Sequence, residues 1–483
     1  MKKIMIIILV LILALTGCTN IETSSVEETI SQSIEESTMD YEVLFEEGIV
    51  HEIYIDIVDE NWDYMMENPL EEEFVEADIT VDGYTVENIA IRTKGNSTLR
   101  DVSNSDSDRY SFKIKVDEYE DQKLLGLDEF VLNNMYSDSS YMREYLSYQA
   151  FEGVDEIASL TSYINVYVNG ELYGLYLMVE TVEDGFLNRT FGENDGNLYR
   201  MDQGSTLLDN TGNASQKNGD DESQDDLNAF IEILNAMPQG EKGDIESVLD
   251  VESALKYIAG NTVMSSYDSY NGQFAQNYYL YNHEGIFYVI PWDYNMSFGT
   301  FNGTGTSTID IDEPVNGVTM DSVPLIDNLL AVDEYKEIYY DILEDYIDYF
   351  DDFEDQVAEI RTLITDHVEN DPTKFSSFEN FELSTVYQED GADESTMMGG
   401  MQGGRGEMRE RPTGQPPADG QQPPTDVQEI DKNQAGFPPT QGDNPMGMGD
   451  KMGMGNSTMA GDDTSIINIL KARIENINEQ LNQ

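Results

Sequence analysis

The chain has 483 residues, enough for one large domain or two ordinary ones. Ninety-six acidic side chains face 25 basic ones, a formal charge of −71, with acids spread along most of the chain. Such a surface argues against a nucleic-acid partner and suits divalent cations, basic proteins or plain solubility.

Lys2 and Lys3 precede an apolar run from Ile4 to Leu15, followed by Thr16, Gly17 and Cys18. A basic start, an apolar core and small residues before a cut make a secretory signal, here too short for a comfortable membrane span. Leu15-Thr16-Gly17-Cys18 resembles a bacterial lipobox. The expectation is a signal peptide over 1–17 and a lipid on Cys18, the lone cysteine, anchoring the protein to the membrane outside the cytoplasm. Residues 18–45 are rich in Ser, Thr and Glu and read as a flexible tether.

Ordered patterning begins near Ile49. His51 to Ile57 alternates as a strand, and Asn61 to Met66 suits a short helix. Ala77 to Val81, Asp82-Gly83 and Val86 to Arg92 read as a hairpin. Arg92-Thr93-Lys94-Gly95-Asn96-Ser97-Thr98 ends a strand with cations and small polar residues, whose backbone N–H groups can cradle phosphate or simply form a solvated turn. Ser111 to Val116 alternates again, with Phe112, Ile114 and Val116 on one face and Lys113 and Lys115 on the other. Lys113 is either a snorkelling surface residue or an internal phosphate ligand. Ser139 to Phe151 is predicted helical and carries Glu144, a possible partner for Lys113.

Tyr163 to Val168, Asn169-Gly170 and Leu172 to Val179 form the clearest hairpin. A helix or turn is expected over 181–191, a polar surface loop over 203–226, and helices near 225–237, 244–250 and 251–266. Strands follow around 276–282 and 285–291, then a Gly/Thr-rich loop over 299–322 and helices from about 324 to 370. Residues 391–462 hold nine of the 22 methionines and eight of the 14 prolines, a composition that cannot build a core and is expected to be disordered. Ile466, Ile467, Leu470, Ile474, Ile477 and Leu481 recur at helical spacing, so 463–483 should be an amphipathic helix that docks back on the domain.

Asp268 lies at the end of the predicted 251–266 helix. Asn277 follows nine residues later, and Asp293 stands in Pro291-Trp292-Asp293-Tyr294-Asn295 where a strand ends. One acid before a small hairpin and one after it can meet at one mouth. There one could orient a hydroxyl while Asp293 and Asn277 hold Mg²⁺; a calcium site or a strand-capping turn uses the same oxygens.

Taken together, these runs resemble the CotH kinase family of secreted, spore coat protein H-like kinases. The resemblance rests on Arg92 to Ser97, Ser111 to Ile114, Val168-Asn169-Gly170 with Gly174-Leu175-Tyr176 and Glu180, and Asn277 to Tyr281 with Pro291-Trp292-Asp293. It spans roughly residues 50–350. It implies an α+β, two-lobed, atypical protein-kinase-like fold. The β-rich N-lobe would cover about 46–180 and the mostly helical C-lobe about 181–390. It also implies ATP with Mg²⁺ or Mn²⁺, and transfer of the γ-phosphate to Ser or Thr of secreted, coat or envelope proteins. By position, Asp268 would be the catalytic acid or base, and Asp293 and Asn277 the metal ligands. Lys113, Glu144, Glu180, Lys94 and Asn96 would bind ATP, with Glu180 at the adenine hinge. No Gly-x-Gly-x-x-Gly loop and no His-Arg-Asp triplet accompany these residues. A non-catalytic coat or envelope assembly role, or a calcium- or glycan-binding surface role, stands as the alternative. The expected location is extracytoplasmic, at the cell membrane or on the spore.

Overall fold

In a computed structural model, residues 41–210, 212–219, 223–301, 306–389 and 465–483 are described. Cys18, the expected signal peptide over 1–17 and the 391–462 stretch expected to be disordered lie outside them.

Seven strands close into a barrel: β1 (Val50–Asp56), β2 (Val75–Val81), β3 (Tyr84–Lys94), β4 (Ser111–Lys115), β5 (Glu129–Asn133), β6 (Thr161–Val168) and β7 (Glu171–Glu180). Their order is β1-β2-β3-β4-β5-β7-β6, and β1 closes the ring by parallel pairing with β6 from Val50↔Tyr163 to Ile55↔Val168. Alternation decides which side chains fill the barrel. Ile53, Ile55, Ile79, Ile91, Phe112, Ile114, Phe130, Leu132, Ile164 and Met178 point inward and are almost wholly buried. The β6–β7 turn forms as its residues require, with Asn169 and Gly170 both left-handed at φ 49° and 85°.

A second sheet has the order β11-β10-β8-β9, from β8 (Asn197–Met201), β9 (Ala214–Asn218), β10 (Tyr278–His283) and β11 (Ile286–Pro291). The expected late hairpin is thus half of a larger sheet. The stretch expected to be loop over 203–226 contains β9, whose polar residues are ordered by pairing with β8. The described helices are α1 (Asp59–Glu67), α2 (Ser97–Ser103), α3 (Arg143–Gly153), α4 (Asp184–Phe191), α5 (Asp225–Asn235), α6 (Val251–Val263), α7 (Pro324–Leu330), α8 (Asp333–Tyr349), α9 (Phe353–Asn370), α10 (Phe378–Ser384) and α11 (Ile466–Leu481). None is long and apolar enough to cross a membrane.

The architecture is mixed α and β, as expected, but its first half is a closed barrel. α3 and α5 to α11 share one apolar core with the inner face of the second sheet. α11 does dock back: Ile466, Ile467, Leu470 and Ile477 are buried in that core, and buried Arg473 donates to the carbonyls of Thr262 and Ile309. Tyr41–Phe45, expected to be tether, is instead a 3₁₀ turn that buries Tyr41, Leu44 and Phe45 against the barrel.

Glu156, buried after α3, accepts a hydrogen bond from Ser253 at 2.8 Å. Burial pushes its carboxyl up to about 8, against the pull of Ser253 and Lys256. A carboxyl raised on folding stabilises fully below its unfolded value, near 4.5, and that contribution is lost as pH rises through about 8. Glu156→Gln keeps an acceptor for Ser253. It is therefore expected to gain roughly 2–4 kcal/mol over the unsubstituted chain at pH 9 and little at pH 5. Melting curves at the two pH values check this, and equal shifts at both would count against the ionisation account.

Candidate active site

Three segments meet where the barrel faces the second sheet. The first is the outer face of β3, β4 and β5. Lys94 pairs with Ser111, and Arg92 with Lys113, so both lysines stand on the face opposite Phe112 and Ile114. β5 supplies a partner to each. Glu129 binds Lys113 Nζ at 2.6 Å, and Asn133 Oδ1 accepts from Lys94 Nζ at 2.9 Å.

The second segment is α3. Asp138 accepts from the backbone N–H groups of Ser140 and Arg143, so the helix starts at Arg143 and not at the expected Ser139. Glu144 and Tyr148, one turn apart, face the same way. Glu144 accepts from Asn133 Nδ2 at 2.8 Å, and the Tyr148 hydroxyl accepts from the Asp293 backbone N–H at 3.1 Å. The expected pairing of Lys113 with Glu144 is therefore corrected: Lys113 holds Glu129, whose strand runs directly beside its own, and Glu144 reaches the barrel through Asn133.

The third segment joins α6 to β10 and continues past β11. Asp268 lies in the turn beyond α6, five residues past Val263. Its carboxylate accepts from Gln276 Nε2 at 2.7 Å, and its backbone carbonyl accepts from Asn277 Nδ2 at 2.8 Å. Asn277 and Asp293 are both left-handed, at φ 60° and 63°, a conformation that costs free energy and concentrates at functional sites.

Electrostatics links the segments. Asp268 is pushed up to about 6 by burial and then by the charge of Asp293, opposed by Gln276 and Asn277. Glu144 is pushed up to about 7 by burial and again by Asp293, opposed by Lys94. Asp293 thus acts on two acids from distant parts of the chain. Among the described residues no group of three or more His, Cys, Asp or Glu side chains could hold a metal alone. Asp293 offers a carboxylate and Asn277 an amide oxygen that its bond to Asp268 leaves available. This hard, incomplete oxygen set fits Mg²⁺, which keeps waters and takes substrate phosphates as its remaining ligands.

Cations that sequence reading passed over lie on the other side of Lys113. Glu183 is pushed up to about 7 by burial and by Glu129, opposed by Lys113 and Lys217. Lys217 on β9 is held below its usual range by burial and by Arg200 on β8. Nearby, Tyr279 stands edge-on to Trp292, ring centroids 5.8 Å apart. A cavity of about 510 Å³ adjoins the site, its lining including Asp138, Arg143, Met296, Thr300 and Lys374.

A protein-family model described as CotH kinase protein matches residues 91–394, which include all of these segments. The chain belongs to the CotH kinase family. It is also similar to the inner spore coat protein H of Bacillus subtilis (strain 168). The two are 29% identical over 195 residues, 38% of this chain and 53% of that relative. The chain thus spans about half the length of the curated relative it matches.

The structure also gives the surroundings of two further expected ATP contacts of this CotH-family chain. Glu180 does end β7 at the junction, but its carboxylate is fully enclosed. It accepts from Tyr41, from the Leu160 backbone N–H and twice from Arg189, so the side chain anchors the junction. Asn96 is exposed at the head of α2.

Proposed function

We propose that this chain is a lipid-anchored, extracytoplasmic protein kinase that transfers the γ-phosphate of ATP to Ser or Thr of secreted, coat or envelope proteins. One observation carries the reading. The charge of Asp293 acts at once on Asp268 and Glu144, and Glu144 is tied through Asn133 to Lys94 on the barrel face that also presents Lys113. In a chain with so few cations, two lysines on one face, joined through Asn133 to an acid that feels the metal-competent carboxylate, suit a nucleotide polyphosphate.

In this reading the barrel and the helical half take the roles of the two lobes of a kinase-like fold. Asp293 and Asn277 would hold Mg²⁺ or Mn²⁺. When bound, the ion would neutralise phosphate charge and fix its geometry. Lys113 and Lys94 would face the phosphates, with Lys113 exchanging Glu129 for phosphate oxygen. Asp268 would accept a hydrogen bond from the acceptor hydroxyl and orient it; its raised value suits a group that also takes the proton. The cavity lined by residues 105–107, 135–139 and 374–376 together with Arg143, Met296 and Thr300 would admit the acceptor polypeptide. The relative's name motivates the choice of coat proteins as substrates, and Leu15-Thr16-Gly17-Cys18 motivates the anchor.

The deciding experiment is incubation of the full chain with labelled ATP and Mg²⁺, alone and with coat or envelope proteins, read by mass spectrometry for phosphoserine and phosphothreonine. Absence of transfer together with absence of Mg·ATP binding would sink the reading. Lys113→Met is expected to weaken Mg·ATP binding about tenfold, the loss of one charge-assisted contact; calorimetry measures it.

A further inference from the structure

Lys94 and Glu144 make no direct ion pair; the amide of Asn133 lies between them. Lys94 Nζ donates to Oδ1 at 2.9 Å and Nδ2 donates to Glu144 Oε2 at 2.8 Å. The bridge spans two parts of the fold, since Lys94 and Asn133 end barrel strands while Glu144 belongs to α3. Glu144 and Asn133 are only 6% and 8% exposed, so little water competes for the Asn133–Glu144 bond. We propose that Asn133 is a positioning residue, a neutral splint that holds Lys94 and Glu144 at a set separation on either side of the phosphate site. The proposal rests on the kinase reading above.

The residue type follows from donor and acceptor inventory. An ammonium can only donate and a carboxylate can only accept, so the two left alone would collapse into a contact pair. An amide offers one donor and one acceptor on the same short side chain. It satisfies both groups without adding charge and leaves Lys94 two further N–H groups for a ligand. It also leaves Glu144 Oε1 uncommitted, on a carboxyl that feels the charge of Asp293. A carboxylate at 133 would instead stand against Glu144, and a hydrocarbon would leave Glu144 without this donor.

The splint is itself held. Asn133 pairs with Leu177 of β7, and the next residue, Asn134, donates through Nδ2 to the Arg109 carbonyl at 2.6 Å. Two residues before Asn133, Val131 enters the core shared with α3. Four residues before it, Glu129 holds Lys113 on the same strand face. One strand of five residues therefore sets both lysines of the site.

The test compares the full chain with Asn133→Leu, which removes both bonds at similar size, and Asn133→Asp, which keeps the acceptor for Lys94 and loses the donor to Glu144. Three quantities are read: amine acylation of each lysine by mass spectrometry without ligand, Mg·ATP affinity by calorimetry, and melting temperature. Asn133→Leu is expected to raise Lys94 acylation roughly threefold or more with Lys113 unchanged, and to weaken Mg·ATP binding about tenfold. Asn133→Asp should leave Lys94 protected, yet show the same loss of affinity. Unchanged Lys94 acylation in Asn133→Leu, or unchanged affinity in Asn133→Asp, overturns the proposal. If Asn133→Leu does not fold, Asn133→Asp decides alone. A parent chain that binds no Mg·ATP refutes the kinase reading, and with it the nucleotide role of Asn133, whereas normal affinity in the parent and in Asn133→Asp refutes the splint alone.

Discussion

Replacing Asp293 with Asn is expected to reduce phosphotransfer by about 100-fold or more while the protein remains folded. The substitution keeps size and left-handed backbone preference, and it keeps the backbone N–H that donates to Tyr148. What it removes is one negative charge. Two effects follow. Metal affinity falls, so the Mg²⁺ concentration for half-maximal rate rises. Asp268 and Glu144 lose the charge that pushes both of them up. Activity measured across a Mg²⁺ series, with melting temperature as the folding control, separates metal loss from misfolding. Activity equal to the parent at every Mg²⁺ concentration would remove Asp293 from the metal role.

A stability effect of comparable weight is expected at Arg109. Its guanidinium is fully buried between barrel and helices and donates to the carbonyls of Asn134 and Leu175, to Thr373 Oγ1, and to Asp371 at 2.8 Å. It lies 4.5 Å from the Tyr176 ring centroid. Gly174 makes room for it, since a Cβ there would stand 2.4 Å from Arg109 Nη1. Arg109→Leu strands the Asp371 carboxylate in a dry site and should cost about 3–5 kcal/mol. Arg109→Leu combined with Asp371→Leu should recover much of that, because the stranded charge is gone. Denaturant titration of the two single variants and the double variant gives the coupling. A double variant as unstable as the sum of the singles would show that the pair acts through packing alone.

The sequence made the strong periodic elements legible. β1, the β2–β3 and β6–β7 hairpins, the late hairpin and α11 were all readable from alternation or helical spacing. Barrel closure was not, because pairing of β1 with β6 leaves no local mark. β5 escaped because Phe130-Val131-Leu132 is too short an apolar run to tell strand from helix. That omission has a chemical cost: without Glu129 and Asn133 in view, the sequence offers Glu144 on the following helix as a possible partner for Lys113. β9 escaped because Ser215, Gln216, Lys217 and Asn218 carry no hydrophobic pattern, and so Lys217 was lost with it. Asp268, Asn277 and Asp293 were legible because each flanks a readable strand or helix end.

The parallel seam between β1 and β6 also orders events in time. As the chain emerges from its N-terminus, β1 has no seam partner until residues 161–168 have been made. More than a hundred residues must be available before the ring can close, and such non-local pairing is intrinsically slow. Until then β1 offers an open edge, a template for joining another chain. A ribosome-stalled or truncated product ending before Thr161 should therefore associate with itself, whereas one ending after Glu180 contains every strand of the ring.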